Sequence, residues 1–352
     1  MAISFFKNLT HKDIKHSQTL LHEHIPITGT MLSGTYQTAS TGREINIKTF
    51  SHGMFQSVFD YPYVSSSANK IFDITAGFSA LGSTLSASAT SQVSKKVNIY
   101  NQMAQVLSGF NTFAVGNTVR RFDQDGNLSG SSQPKHDNVV FLNFSRLLVK
   151  DEIKKGSFSI NLGIGASYAT PFSTTVLLND AEATGSYKIN SPAGEYGLLK
   201  SGSVNVGLVY YQAGIALVTS SVFNSSTQMN GTSDTIADLF TGSNIDTISD
   251  AVRHRIKNIT FNNTTELNSA VYFCRANNTE FNYSSNPTYL SQSTIRVRQV
   301  PGTNPSKISP RSYVTTVGLY SHDNELLAVA KLSEPLMKSP ENELNVRVRL
   351  DY

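Results

Sequence analysis

Cysteine is all but missing from this chain: Cys274 stands alone in 352 residues. One thiol closes no intrachain disulfide, and its isolation fits a reducing compartment. In the apolar run Val271-Tyr272-Phe273-Cys274 it reads as a small buried hydrophobe, not a catalytic thiol. Charge is also scarce. Asp, Glu, Lys and Arg make up 15% of the residues, against roughly 25% in ordinary soluble proteins. Ser, Thr and Asn take their place, a composition that suits β-structure and subunit contacts, where charges are costly to desolvate. No run of eighteen apolar residues occurs, so no transmembrane helix is expected. The opening Met1-Ala2-Ile3-Ser4-Phe5-Phe6-Lys7 has too short an apolar core for a secretory signal. The Asn-x-Thr matches at Asn258 and Asn262 are then a product of composition, not glycosylation sites.

A basic stripe is missing too. Net charge is +4, and Lys95-Lys96, Arg120-Arg121 and Lys154-Lys155 are isolated pairs, so nucleic acid is not an expected partner. Arg296, Arg298, Arg347 and Arg349 alternate on two expected strands and are read as a solvated or partner-facing surface.

Catalytic motifs are equally hard to find. There is no Gly-x-Ser-x-Gly, no phosphate loop and no dinucleotide glycine pattern. Gly163-Ile164-Gly165-Ala166 lies inside an alternating strand, with no helix opening after it. Asp151, Glu152, Asp180, Glu182 and Glu195 are spread along the chain, whereas a glycosidase needs paired carboxylates across a cleft. Asp123-x-Asp125-Gly126-Asn127 starts like a calcium loop, but its twelfth position is Pro134, which offers no side-chain oxygen. Asp-Gly is also a strong turn signal, and a turn is expected. His22-x-His24 would share one strand face, with Glu23 opposite and His11 and His16 nearby; further ligands at zinc-site spacing are missing. The chain is therefore expected to carry no catalytic residue, no cofactor and no metal, and not to be an enzyme.

What is present is β-pattern. Phe158, Ile160, Leu162 and Ile164 alternate with Ser, Asn and Gly, marking a half-buried strand. Gly163 and Gly165 within it suggest close backbone approach. Val139–Val149 opens as a buried strand, and Val204–Tyr211 pairs back with Ile215–Val218 across Gln212-Ala213-Gly214. Val97, Tyr100, Met103, Ala104 and Leu107 recur at helical spacing. Ile245, Ile248, Val252 and Ile256 do the same, with Asn244 as the N-cap. Residues 1–28 read as irregular, and the stretch from Gly29 to Phe59 as short strands and turns.

The C-terminal region is the most informative. Tyr313–Tyr320 and Leu326–Leu332 are β-rich runs flanking Ser321-His322-Asp323-Asn324-Glu325, which predicts a hairpin. Leu344, Val346, Val348 and Leu350 then alternate with polar residues up to Tyr352, which predicts a strand with one buried face.

The segment Thr316-Val317-Gly318-Leu319-Tyr320, an Asp-Asn turn and Leu326-Leu327-Ala328-Val329-Ala330 resemble a hairpin of bacteriophage tail and baseplate proteins. Tyr272–Ala276, Phe281–Tyr289, Tyr211–Ala216 and Asn98–Ala104 are similar to the virion structural protein family of large contractile-tailed phages. The likeness is scattered from about Ile71 to Tyr352 and carries no catalytic residue. It implies a virion component, assembled in the host bacterial cytoplasm, in the tail baseplate or at a fibre attachment. The implied partners are other virion structural proteins and repeated copies of the chain itself, with no membrane. A head, neck or collar component is the alternative, and a carbohydrate-binding or hydrolysing tail module a second one.

The expected fold is mainly β with a few helices, a β-rich α+β chain of antiparallel sheets or sandwiches in several domains. Residues 1–60 are expected to form an irregular assembly segment. Residues 61–265 would be a central β-rich domain with helices near 90–108 and 244–256, and residues 266–352 a small β-sandwich. The side chains expected at an assembly interface are Leu319, Tyr320, Leu327, Val329, Val346, Val348, Leu350 and Tyr352, each equally able to serve as core.

Overall fold

A computed structural model describes residues 6–29, 44–81, 91–110, 119–127, 134–284, 290–291, 294–295 and 310–352. The chain is mainly β, with 46% strand and 18% helix among the described residues. Its contacts divide it into two compact units. Leu20–Thr265 form the larger; Met1–Thr19 and Glu266–Tyr352 form the smaller.

The strands come in chain order as β1 (Ile14–Thr28), β2 (Ile47–Thr49), β3 (Gln56–Phe59), β4 (Lys70–Phe78) and β5 (Asn138–Phe144). Next are β6 (Glu152–Ile153), β7 (Ser159–Gly163), β8 (Thr175–Asn179), β9 (Lys188–Ser191) and β10 (Gly194–Ser201). Then come β11 (Val204–Tyr210), β12 (Ile215–Thr219) and β13 (Ile256–Ala276). The main sheet runs β1-β13-β7-β8-β10-β11-β12-β5-β4-β3-β2, with β6 added on β13 and β9 on β10.

Its centre is buried on both faces. Val139 and Phe141 of β5 belong to one apolar cluster with Leu208, Tyr210 and Leu217. Their neighbours Val140, Leu142 and Phe144 belong to another with Val209, Ala216 and Val218. A strand covered on both sides reads as a continuous apolar run, which is why Val139–Phe144 shows no alternation. The run stops at Phe144; the expected extension to Val149 is instead a single helical turn, Arg146–Val149.

Helix α1 (Ser91–Leu107) covers the first face with Ile99, Tyr100, Ala104 and Leu107. It lies against β4 at Gly77, where a Cβ would stand 2.9 Å from the Tyr100 amide nitrogen. Two short helices follow, α2 (Ile236–Gly242) and α3 (Ile245–Arg253). Asn244 caps α3, its side chain accepting from the Thr247 amide at 2.8 Å. The helix ends at Arg253, and Ile256, which fits the helical spacing, opens β13. Thr235 and Asp238 form a capping box on α2. Lys96 of α1 is buried beyond solvent reach, and its ammonium donates to the carbonyls of Phe240 at 2.5 Å and Ser243 at 2.8 Å. A cation on the last carbonyls of α2 satisfies groups that a helix leaves unpaired.

The N-terminal reading needs correction. Residues 14–28 are not irregular but form β1, nearly every residue of which is exposed. With no buried face there is no alternation to read.

In the smaller unit, β14 (Leu290–Ser291) pairs β15 (Thr294–Ile295), and β16 (Ser312–Tyr320) pairs β17 (Leu326–Lys338). Strand β18 (Leu344–Asp351) runs antiparallel to β13, from Ala276 opposite Leu344 to Ser269 opposite Asp351. Arg347 and Arg349 are exposed on β18; Arg296 and Arg298 lie outside the described residues. Among the described residues no helix is long and apolar enough to cross a membrane.

Candidate interaction surface

The hairpin β16–β17 is built by its turn. Ser321 N donates to the Glu325 carbonyl at 2.9 Å, and Ser321 Oγ accepts from the amides of Asp323 and Glu325, each at 3.2 Å. Asn324 takes a positive φ of 63°, a conformation asparagine tolerates better than most residues. The register opposes Leu319 with Ala328, Val317 with Ala330, Gly318 with Val329 and Thr316 with Lys331. Paired residues share a face, and the two faces differ. Leu319 is buried, and Val317, Ala328 and Ala330 are half-buried. On the other face Thr316, Gly318, Val329 and Lys331 are exposed.

Toward the turn that outer face is apolar. Tyr320, Leu326, Leu327 and Val329 are 46%, 52%, 66% and 53% exposed. The Tyr320 ring and the Leu326 side chain lie over Gly318, where an added Cβ would sit 2.9 Å and 3.4 Å from them. Phe6 meets the Tyr320 ring edge-on at 5.2 Å. A register shift between Leu319 and Tyr320 leaves Leu327 as an extra residue, turned into solvent. Toward the other end of the hairpin Tyr313, Leu336 and Met337 are also exposed. Contiguous exposed apolar side chains of this kind mark interaction sites.

The eight side chains expected at an interface thus divide. Tyr320, Leu327 and Val329 stand in solvent on the hairpin, and Leu319 packs on its shielded face. Val348 is buried, and Val346 and Leu350 are half-buried on β18. Tyr352 is 71% exposed, and its backbone exchanges two hydrogen bonds with Asn268, at 2.8 and 3.1 Å.

Other sequence candidates are engaged elsewhere. Asp123 is buried against Lys135 in an ion pair, and Asp125 accepts from Asn127 in a tight turn. His22 Nδ1 lies 3.3 Å from the Asn263 carbonyl, and His24 Nδ1 lies 3.0 Å from the Asn262 side-chain oxygen, both holding β1 to β13. Cys274 is half-buried, and burial pushes its thiol up.

The fold gathers carboxylates that looked scattered. Lys155 bridges Glu152, 3.8 Å away, and Glu195, and lies 5.0 Å from the Tyr187 ring and 5.9 Å from that of Tyr211. Tyr211 donates to buried Asp180 at 2.9 Å, and Asp180 also accepts from the Gly156 and Phe158 amides. Burial raises the Asp180 carboxyl and the Tyr211 phenol above their ordinary values. Every member is tied to a neighbour, the arrangement of a structural network. A polar pocket of about 190 Å³ lies among Glu44, Tyr168, Asp250, Arg253 and His254. Arg253 donates to Glu44 at 2.5 Å and Asp250 at 2.8 Å, and the Tyr168 and His254 rings stack at 4.2 Å.

Three cations or imidazoles inside the protein were not legible as such. Arg255 is fully buried, donating to the carbonyls of Gly165 at 2.7 Å, Gln228 at 2.9 Å and Gly163 at 3.3 Å, and to Ser226 Oγ at 3.0 Å. Lys96 is pushed down to about 8 by burial, and buried His136 to about 4. Comparison with known proteins finds no match of this chain to a family model, a curated protein or a solved structure.

Proposed function

We propose that the protein is a structural component of a tailed-bacteriophage virion, working through protein–protein assembly in the tail baseplate or at a fibre attachment. The observation that carries this reading is the exposed apolar face of the hairpin, Tyr320, Leu326, Leu327 and Val329. The resemblance of the same segment to tail and baseplate hairpins supports it. So does the low charge of the chain, 15%, which lowers the desolvation cost of large contacts. The protein's work is mechanical. Its partners are other virion proteins and further copies of itself, and it is neither an enzyme nor a binder of a cofactor. A head, neck or collar position would use the same surface.

The test is the composition and imaging of gradient-purified particles of the phage that encodes the chain. The expected result is the chain in fixed stoichiometry, with its density on the tail. Density confined to the head or neck would select the alternative. Particles without the chain would refute the proposal.

A further inference from the structure

We infer that β16 is a pairing edge for a second copy of the chain, joining two hairpins into one four-stranded antiparallel sheet across a two-fold axis. This rests on the reading of the hairpin as an assembly surface and names its partner there.

Each strand of the hairpin has one edge without a ladder among the described residues. Among the described residues β16 pairs only with β17, and the pair forms its own two-stranded sheet. Two strands alone are marginal in water; packing on the Leu319 face supports this pair, and a third strand would add to that support.

The two edges differ. Natural sheets blunt their edges with charge, proline and bulges. The outer edge of β17 has all three. It carries Lys331, Glu334 and Pro335, and in its pairing with β16 several extra residues lie between Lys331 and Leu336. Strand β16, Ser312-Tyr-Val-Thr-Thr-Val-Gly-Leu-Tyr320, has no charge and no proline. The extra residues of both register shifts lie on β17, and beyond Ser312, which is buried and donates to the Phe281 carbonyl, β16 presents an edge without charge, proline or extra residue.

The sequence of β16 selects the occupant. About a two-fold axis at Thr316, normal to the sheet, β16 meets itself with like faces on the same side. Thr316 then opposes Thr316, Thr315 opposes Val317, Val314 opposes Gly318, Tyr313 opposes Leu319 and Ser312 opposes Tyr320. No like charges meet. A threonine pair sits at the centre, and an aromatic–aliphatic pair lies to either side; both are favourable cross-strand combinations. A closed two-fold contact of this kind is self-limiting. The exposed apolar faces of the two hairpins then lie on the same side of the sheet.

The test uses the full-length chain. The parent should sediment at twice 38.4 kDa. Thr316→Lys places two ammonium groups directly opposite each other, so this variant should sediment at 38.4 kDa while its circular dichroism spectrum stays that of a folded chain. A second, independent variant is Thr316→Cys in a Cys274→Ala background. Directly opposed residues of an antiparallel pair stand about 4.5–5.5 Å apart, within disulfide reach. Mild oxidation should therefore convert this variant to a covalent dimer, while Lys331→Cys, on the blocked edge, stays monomeric. Three results would each overturn the inference: a parent that is monomeric across the dilution series, a dimer that Thr316→Lys leaves intact, or cross-linking through Lys331→Cys in place of Thr316→Cys. A monomeric parent would still leave the virion assignment to the particle experiment, so the two claims fail separately.

Discussion

Lowering the pH should destabilise the larger unit through one side chain, His136. It is fully buried, and among the described residues neither ring nitrogen has a hydrogen-bond partner, although its amide donates to the Phe122 carbonyl and its carbonyl accepts from Tyr100. Burial pushes it down from the ordinary 6.5 to about 4. In the unfolded chain the imidazole takes a proton near its ordinary value; in the folded chain it resists until far lower. The unfolded state therefore binds more protons between those limits, and stability falls as pH falls through that window. It is fully present above about pH 6.5 and fully lost below about pH 4. With 1.36 kcal/mol per unit, the whole effect is about 3 kcal/mol, and about 2 kcal/mol is gone by pH 5. Buried Asp180 and half-buried Asp246 are raised by burial and pull the other way. They are the same in parent and variant, so their effect cancels in a comparison. Urea midpoints at about pH 7.5 and pH 5 should be compared for the parent and His136→Phe. The parent should lose about 2 kcal/mol more than the variant over this interval. Equal losses would refute the reasoning.

Arg255→Met should cost about 2–4 kcal/mol in urea unfolding, because it strands buried carbonyls of Gly163, Gly165 and Gln228 while removing one buried charge; a change under about 0.5 kcal/mol would contradict this. Gly163→Ala should cost about 1–3 kcal/mol by the same assay, since its Cβ would stand 2.5 Å from the Pro171 carbonyl oxygen. Truncation before Glu343 deletes β18, with Val348 buried and Leu344, Val346 and Leu350 half-buried, a loss of about 4 kcal/mol of apolar burial. Hydrogen exchange should show loss of protection at the amides of Ser269–Ala276 that face β18, and unchanged protection would show that β18 is dispensable.

What could be read in advance followed from one-sided burial. Phe158, Ile160 and Leu162 alternate because only one set of side chains on that strand meets the core, and all three are buried. The close approach expected at Gly163 and Gly165 is real; backbone and Ser173 occupy the space where side chains would go. Asn244 was legible as a cap because its oxygen replaces a missing intrahelical acceptor. Thr235-x-x-Asp238 carried the same kind of signal for α2 and was passed over. Strand β1 was hidden because it is exposed on both faces. Ile256 fitted both the helical spacing of α3 and the apolar start of β13, and the sheet won. Buried Arg255, Lys96 and His136 have no sequence signature, since Arg255 and Lys96 bond mainly to backbone carbonyls far away in the chain and the His136 ring has no partner among the described residues. The clustering of Glu152 and Glu195 on Lys155 is likewise a product of the fold. On the hairpin, alternation announced strands but not which face would remain in water; Leu319 and Tyr320 are adjacent, yet one is buried and the other exposed.

The central claim, assembly through the exposed face of the hairpin, is tested most directly by incorporation of a surface variant into particles. Leu327→Asp with Val329→Asp changes two side chains already 66% and 53% exposed, so the fold should melt within about 0.5 kcal/mol of the parent. Phage lacking the natural chain are supplied with this variant, and purified particles are assayed for the chain and for infectivity. The account predicts a folded, soluble variant that is left out of particles, with infectivity lost. Particles carrying the variant at parental stoichiometry and full infectivity would contradict it.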